Sequence, residues 1–287
     1  MLGPPKVQDT MPAQSPKLTV AIPTYRGTQF LGDAMASVLR QTFQDFELLV
    51  INDNSPDDTE AVVHGFDDPR VRYVRNPGNL GPQGNWNRCL DLARGHYFKL
   101  LPHDDLLMPT CLARQVSVLD ADRAEQVALV FSAREVLAPD GRVLMRRGYP
   151  GAGEGRIDGR DVMRSCVRRG TNLVGEPGAV MFRKALADRV GHFDATNPYV
   201  IDLDYWFRLL VHGGAYFCDE TLASFRVSGG SWSVAIGRDQ SRDFKAFTAR
   251  FAGQGLLPVT AMDRLVGRFT PELNNLARRA FYRLYLR

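Results

Sequence analysis

Between Leu18 and Ile22 the chain is apolar or β-branched without a break, and the run stops at Pro23. A run this short, bounded by a breaker, predicts a strand covered on both faces. Leu31, Ala34, Met35, Val38 and Leu39 then recur at helical spacing behind Thr28, which is placed to cap the helix. The alternation repeats: Glu47 to Ile51 reads as a strand, Asp58 to His64 as a short helix, Val71 to Val74 as a strand, Gln83 to Ala93 as a helix and Tyr97 to Leu101 as a strand. Alternating helices and near-continuous apolar strands predict an α/β fold with a mostly parallel central sheet flanked by helices. Ligands of such sheets gather beyond the carboxyl ends of the strands. The segments there are polar: Thr24-Tyr25-Arg26, Asn52-Asp53-Asn54-Ser55 and His103-Asp104-Asp105.

Beyond Pro109 a helix to Ala121 and a strand from Val127 to Ser132 continue the pattern, and Pro139-Asp140-Gly141 marks a turn. The Gly-rich stretch from Gly148 to Gly159 predicts a mobile loop. A helix from Asp161 to Arg168, a strand from Ala179 to Phe182 and a helix from Asp202 to Val211 follow. After Ser228 the composition shifts towards arginine and aromatic residues, which predicts a C-terminal helical extension over 231–287. Its last segment sets Leu276, Ala277, Ala280, Phe281, Leu284 and Tyr285 against Arg278, Arg279, Arg283 and Arg287. Such a helix packs on its own domain, or docks on a membrane surface or a partner.

Composition narrows the classes. With 287 residues and 44% hydrophobic content the chain can bury a sizeable core. A net charge of +4, from 36 basic and 32 acidic residues mixed along the length, is too mild to imply nucleic-acid binding. The 4 cysteines, Cys89, Cys111, Cys166 and Cys218, form no CxxC pair and read as core thiols in a reducing, cytoplasmic setting. Residues 1–16, with Pro4, Pro5 and Pro12, read as a disordered leader without a signal pattern, and no apolar run is long enough to span a bilayer.

His103-Asp104-Asp105 places adjacent carboxylates behind an apolar strand, where a hard divalent cation can join them to a pyrophosphate. Taken alone the pair reads rather as helix-capping residues before Pro109, and it is the position after a strand that favours the cation. Asp53, in a loop dense with turn formers, is either an Asx-turn or a carboxylate that accepts the imide N–H of a uracil or thymine ring. Neither GxGxxG nor GxxxxGK[ST] occurs, so dinucleotide and P-loop readings lose their main support. The 5 histidines show no ligand spacing.

Four segments carry a resemblance: TVAIPTYRG at 19–27, QTFQDFELLVINDNSPDDT at 41–59, NLGPQGNWNRCLDLARGHYFKLLPHDD at 79–105 and DLDYWFRLL at 202–210. Together they resemble the family 2 glycosyltransferases of the Rossmann-like GT-A fold. The resemblance implies an inverting enzyme that moves a sugar from a UDP or dTDP sugar to a glycan or glycolipid hydroxyl, with Mn²⁺ or Mg²⁺ as cofactor. Residues 17–105 would form the nucleotide-sugar-binding half and 106–230 the acceptor-binding half. Pro23, Thr24, Tyr25, Arg26, Asp53, Asn54, Asn87 and Asp104 would hold the donor, Asp105 the metal, and Asp202 would be the general base, with Asp204 as runner-up and an N-cap as the alternative role of Asp202. Trp206 and Phe207 read as core. Two positions depart from the family pattern: Trp86 stands where many members carry Arg, and Ser228 lies near a position where many carry a metal-binding His. A nucleotidyltransferase and an inactive sugar-nucleotide-binding scaffold are the competing readings. A lipid-linked acceptor would bring the enzyme peripherally to the inner face of the membrane.

Overall fold

The computed structural model describes residues 15–227, 239–257 and 259–285, without the side chains of 282–284. Most of the expected leader and Ser228 lie outside the described residues. Strands β1 (Leu18–Thr24), β2 (Phe46–Asn52), β3 (Val71–Arg75) and β4 (Tyr97–Leu100) are parallel in the order β3-β2-β1-β4, connected by helices α1 (Leu31–Leu39), α2 (Thr59–His64) and α3 (Gly81–Leu92). All 7 residues of β1 are buried, because both faces of the sheet are covered. Val20 and Ile22 join one core with Leu31, Met35 and Val38 of α1, whereas Ala21 joins the other core with Cys89 and Leu90 of α3. Strand periodicity thus deals alternate residues to two cores.

The same sheet continues through the second half: β5 (Leu106–Leu107), α4 (Cys111–Ala121), β6 (Val127–Leu137), β7 (Val143–Arg147), β8 (Gly155–Ile157), α5 (Gly159–Arg169), β9 (Val180–Arg183), α6 (Lys184–Val190), α7 (Ile201–Leu210) and β10 (Gly214–Arg226). The order runs on as β4-β9-β6-β10-β5, with β9 antiparallel to both neighbours and β10 parallel to β6. Tyr205, Trp206 and Phe207 of α7 are wholly buried, each contributing roughly 1.5–3 kcal/mol. All 4 cysteines are free and buried. Among the described residues no helix is long and apolar enough to cross a membrane.

Four expectations change. Thr28 does not cap α1: Phe30 occupies the N-cap without a side-chain bond, and the Thr28 hydroxyl donates to Asp57 instead. The Gly-rich stretch contributes β8, antiparallel to β10. Strand β10, with 13 residues, was not expected, because Asp219 and Glu220 interrupt its apolar pattern where the register to β6 shifts. Beyond 239 the described residues form α8 (Gln240–Gly253), α9 (Ala261–Val266) and α10 (Thr270–Tyr285), but α10 is rotated relative to its apolar stripe. Leu276 and Ala280 face outward, while Arg278 turns inward and stacks 5.1 Å over the Tyr199 ring. The side chains of Arg283 and Leu284, and Arg287 itself, lie outside the described residues.

Gly95 lets the chain enter β4 against the back of β1: its N–H donates to Thr19 Oγ1 at 2.9 Å, and a Cβ there would run into the backbone of Leu18 and Thr19. Gly95→Ala is expected to cost about 1–3 kcal/mol in urea unfolding, the usual range for overpacking. An unchanged midpoint would contradict this packing.

Candidate active site

The loops after β1 and β2 are tied edge to edge. Asp53 N–H donates to Thr24 O at 2.8 Å, Arg26 N–H to Ser55 Oγ at 3.0 Å and Gly27 N–H to Thr59 Oγ1 at 3.1 Å. Arg26 and Asn54 both adopt left-handed backbone, φ 53° and 56°, a strained geometry for residues other than glycine. The Thr24 hydroxyl is buried and has no hydrogen-bond partner among the described residues. Tyr25 and Arg26 are exposed, with the guanidinium 5.5 Å from its neighbour's ring, and Pro23 is buried in β1.

Asp53 is 2% exposed, and its carboxylate anchors the start of α3: it accepts from Leu80 N–H at 2.8 Å, Gly81 N–H at 2.9 Å and Asn76 Nδ2 at 2.8 Å. A carboxylate at a helix N-terminus meets unpaired N–H groups and the positive end of the dipole. Asn76 also donates to Asn85 Oδ1, whose amide in turn donates to Ile51 O. Asn87 is engaged elsewhere, accepting from Phe193 N–H at 2.7 Å and donating to Phe193 O at 3.2 Å. Asn54 accepts from Arg75.

Asp104 and Asp105 follow β4. Asp104 lines a cavity of about 680 Å³ that is also walled by Trp86, Arg134, Glu176, Tyr199 and Asp202. Asp105 does not line it and is 1% exposed, with Oδ1 accepting from Arg226 N–H at 2.9 Å, while Arg226 Nε donates to Asp104 O at 3.1 Å. Burial, and then the charge of Asp104, push the Asp105 carboxyl well above its ordinary range. Two adjacent carboxylates that repel one another in a dry setting fit a hard cation that takes one or two protein carboxylates and completes its shell with phosphate and water. Among the described residues no group of three or more His, Cys, Asp and Glu side chains assembles, so a fully protein-made cage is not what these residues offer.

The same cavity is lined by Asp202, in the first turn of α7. It is not the N-cap, which is Val200, and its side chain accepts from Leu203 N–H at 2.7 Å and from Asn172 Nδ2 at 2.9 Å. Burial, and then the nearby Glu176 charge, raise its carboxyl to about 7. A carboxylate tuned to that range accepts a proton well at neutral pH. The runner-up, Asp204, is 2% exposed and bound to Arg208 and Arg250, so it is consumed by ion pairs. Trp206 donates to Gly175 O at 3.0 Å within the core.

Glu176 is the residue sequence reasoning missed. It contacts Arg134, and although burial opposes ionisation, Arg134 and Arg147 hold its carboxyl below the usual range. No local pattern announces it, since Arg134 lies far off in the chain. Asn172, Asn76 and Arg226 were missed for the same reason.

The family model described as "Glycosyl transferase family 2" matches residues 19–191. An uncharacterized protein of Mycobacterium tuberculosis is 31% identical over 227 residues, 77% of this chain and 70% of its own length. An uncharacterized glycosyltransferase of Rickettsia typhi is 27% identical over 223 residues, 74% of this chain and 64% of its own length. The chain thus spans about two thirds of the length of these relatives. Over a shorter stretch, 34% of this chain and 33% of the relative, it is 41% identical to the GalNAc(5)-diNAcBac-PP-undecaprenol beta-1,3-glucosyltransferase of Campylobacter jejuni. Among solved structures, residues 1–349 of Staphylococcus aureus TarS in complex with UDP-GlcNAc superpose with a TM-score of 0.67 at 16% identity, over 94% of this chain and 76% of that one. The mannosyltransferase PcManGT from Pyrobaculum calidifontis, in complex with GDP-Man and Mn²⁺, gives 0.62 at 19% identity, over 96% and 79%. These structures share the GT-A fold.

Two substitutions test the cavity chemistry. If Asp202 serves as a general base, Asp202→Asn is expected to cut kcat by a factor of about 10² to 10⁴. Because the raised carboxyl makes the ionised form unfavourable in the fold, stability falls as pH rises from the unfolded value towards 7, so the same variant should melt higher than wild type at pH 8. A lower melting temperature with normal turnover would make Asp202 structural only. Glu176→Gln removes the charge that helps raise Asp202, so the alkaline-rising limb of kcat/KM should move to lower pH. An unmoved limb would uncouple the two carboxylates.

Proposed function

The chain belongs to glycosyl transferase family 2, and from that premise we propose that it is an inverting glycosyltransferase using a nucleoside diphosphate sugar, of the UDP or dTDP type, and a hydroxyl of a glycan or glycolipid. The observation that carries the reading is the placement of Asp202, raised to about 7, on the wall of the cavity that Asp104 also lines. Asp202 takes the acceptor proton as the oxygen attacks the anomeric carbon in line with the departing diphosphate. Asn172 holds the carboxylate through Oδ2, and Glu176 keeps it basic. No covalent intermediate is needed.

On the donor side, Thr24, Tyr25, Arg26, Asn54 and Asp53 border the nucleotide, and the partnerless Thr24 hydroxyl suits a polar ligand. A divalent cation, Mn²⁺ or Mg²⁺, held by Asp105 and the donor phosphates would neutralise the leaving diphosphate. The solved complexes with UDP-GlcNAc and with GDP-Man and Mn²⁺ support this reading by fold. The relative named for an undecaprenol-linked substrate supports a glycolipid acceptor, in cell-surface glycan synthesis at the inner face of the membrane. Nothing in the cavity favours nucleotidyl transfer or a scaffold role.

Calorimetry with UDP, dTDP and GDP sugars, in Mn²⁺, in Mg²⁺ and with chelator, tests the reading. Binding should require the metal, and Asp105→Asn, which retains an acceptor for Arg226 N–H, should weaken it at least about tenfold, or 1.4 kcal/mol. Failure of every nucleotide sugar to bind would overturn the proposal. Equal affinity in chelator would remove the metal from it.

A further inference from the structure

The two last helices are packed with their polar side inward. Asp263 of α9 is 1% exposed and pairs with Arg164 and Arg168 of α5. In α10, Asn274 donates to Gly170 O at 3.1 Å, Asn275 is buried, and Arg278 lies over Tyr199. The opposite side is apolar: Met262, Leu265, Phe269, Leu273 and Leu276 are 51% to 66% exposed, and Ala280 continues their line. Met262 and Leu265 share a face of α9, Leu273, Leu276 and Ala280 share a face of α10, and Phe269 lies in the turn between them. A soluble helix buries such a stripe. Here a run of large apolar side chains is left in water.

The charges beside the stripe are of one sign. Arg264, Arg268 and Arg279 are exposed and make no ion pair among the described residues. The nearby acids are engaged elsewhere, Glu272 with Lys245 and Asp263 with Arg164 and Arg168 of α5. Apolar side chains flanked by unpaired guanidinium groups match an anionic lipid interface, which takes the apolar groups below its headgroups and the cations at their level. The same helix carries Asn274, Ala277, Arg278 and Phe281 into the wall of the Asp202 cavity.

We propose that Met262, Leu265, Phe269, Leu273 and Leu276 with Arg264, Arg268 and Arg279 form a docking surface for an anionic bilayer, carried in part by the helix, α10, that also walls the Asp202 cavity. This deepens the reading of the cavity as a transferase site: the acceptor class becomes an amphiphile whose glycan head enters the cavity while its lipid stays in the membrane. Docking supplies such an acceptor from the plane of the bilayer.

The test is co-sedimentation of the full chain with phosphatidylcholine vesicles, with and without phosphatidylglycerol, alongside calorimetry of nucleotide-sugar binding without vesicles. Wild type should pellet with the anionic vesicles. Arg264→Ala/Arg268→Ala/Arg279→Ala should lose roughly 100-fold in partitioning, about fivefold per arginine. Phe269→Asp/Leu273→Asp should abolish binding, and both variants should melt and bind donor as wild type does, since these positions are exposed. The proposal is overturned if wild type ignores both vesicle types, if the aspartate variant binds them normally, or if sedimentation shows a dimer that this variant splits, because the stripe then covers a second copy. Donor binding without vesicle binding leaves the transferase reading standing and removes the docking surface. Vesicle binding without any donor binding does the reverse.

Discussion

The antiparallel insertion of β9 between β4 and β6 is the constraint on which the site depends. In a parallel sheet only residues following each strand reach the carboxyl edge, whereas an antiparallel neighbour brings the residues preceding it there. Phe98 pairs with Phe182 and Phe131 with Val180, so the segment before Val180 lies alongside the ends of β4 and the middle of β6. That register sets Glu176 against Arg134 and brings Gly178 close to Asp105. Removing one member of a buried ion pair typically costs about 3–5 kcal/mol. The charge that tunes Asp202 therefore sits on the segment leading into β9, which the register of that strand positions.

The loops at the carboxyl edge of the sheet are held by different means. Asp53 joins β2 to the start of α3, so the β2 loop and α3 cannot separate without exposing helix N–H groups. Asp105 is joined to β10 through Arg226 N–H, which ties the end of β4 to the far side of the sheet. The Arg226 side chain extends the clamp, donating to Pro139 O at 3.1 Å and stacking 4.5 Å from the Phe30 ring. Asp105 and Asp202 thus belong to one sheet and the helix packed on it.

Much of this was legible in the sequence where chemistry and local pattern coincide. The runs at Leu18–Ile22, Glu47–Ile51 and Tyr97–Leu101 read correctly because strands covered on both faces need apolar residues throughout. Asp104 and Asp105 stand out because they follow such a run, and Asp202 was reached only through the resemblance. Strand β10 was hidden by the polar Asp219 and Glu220, and Glu176 by its isolation, since its meaning lies in Arg134 and in a strand register that local sequence does not encode. The rotation of α10 escaped because periodicity identifies an apolar stripe without saying which side meets the protein.

The central claim is that burial and Glu176 hold the Asp202 carboxyl near neutrality. NMR titration of the protein carrying ¹³C-labelled aspartate carboxyls measures it without substrate or metal. One aspartate is predicted to titrate with a midpoint of about 7, and its signal should be missing from Asp202→Asn. If the signal lost in that variant titrates in the ordinary carboxylate range, below about 5, the account of the site is contradicted.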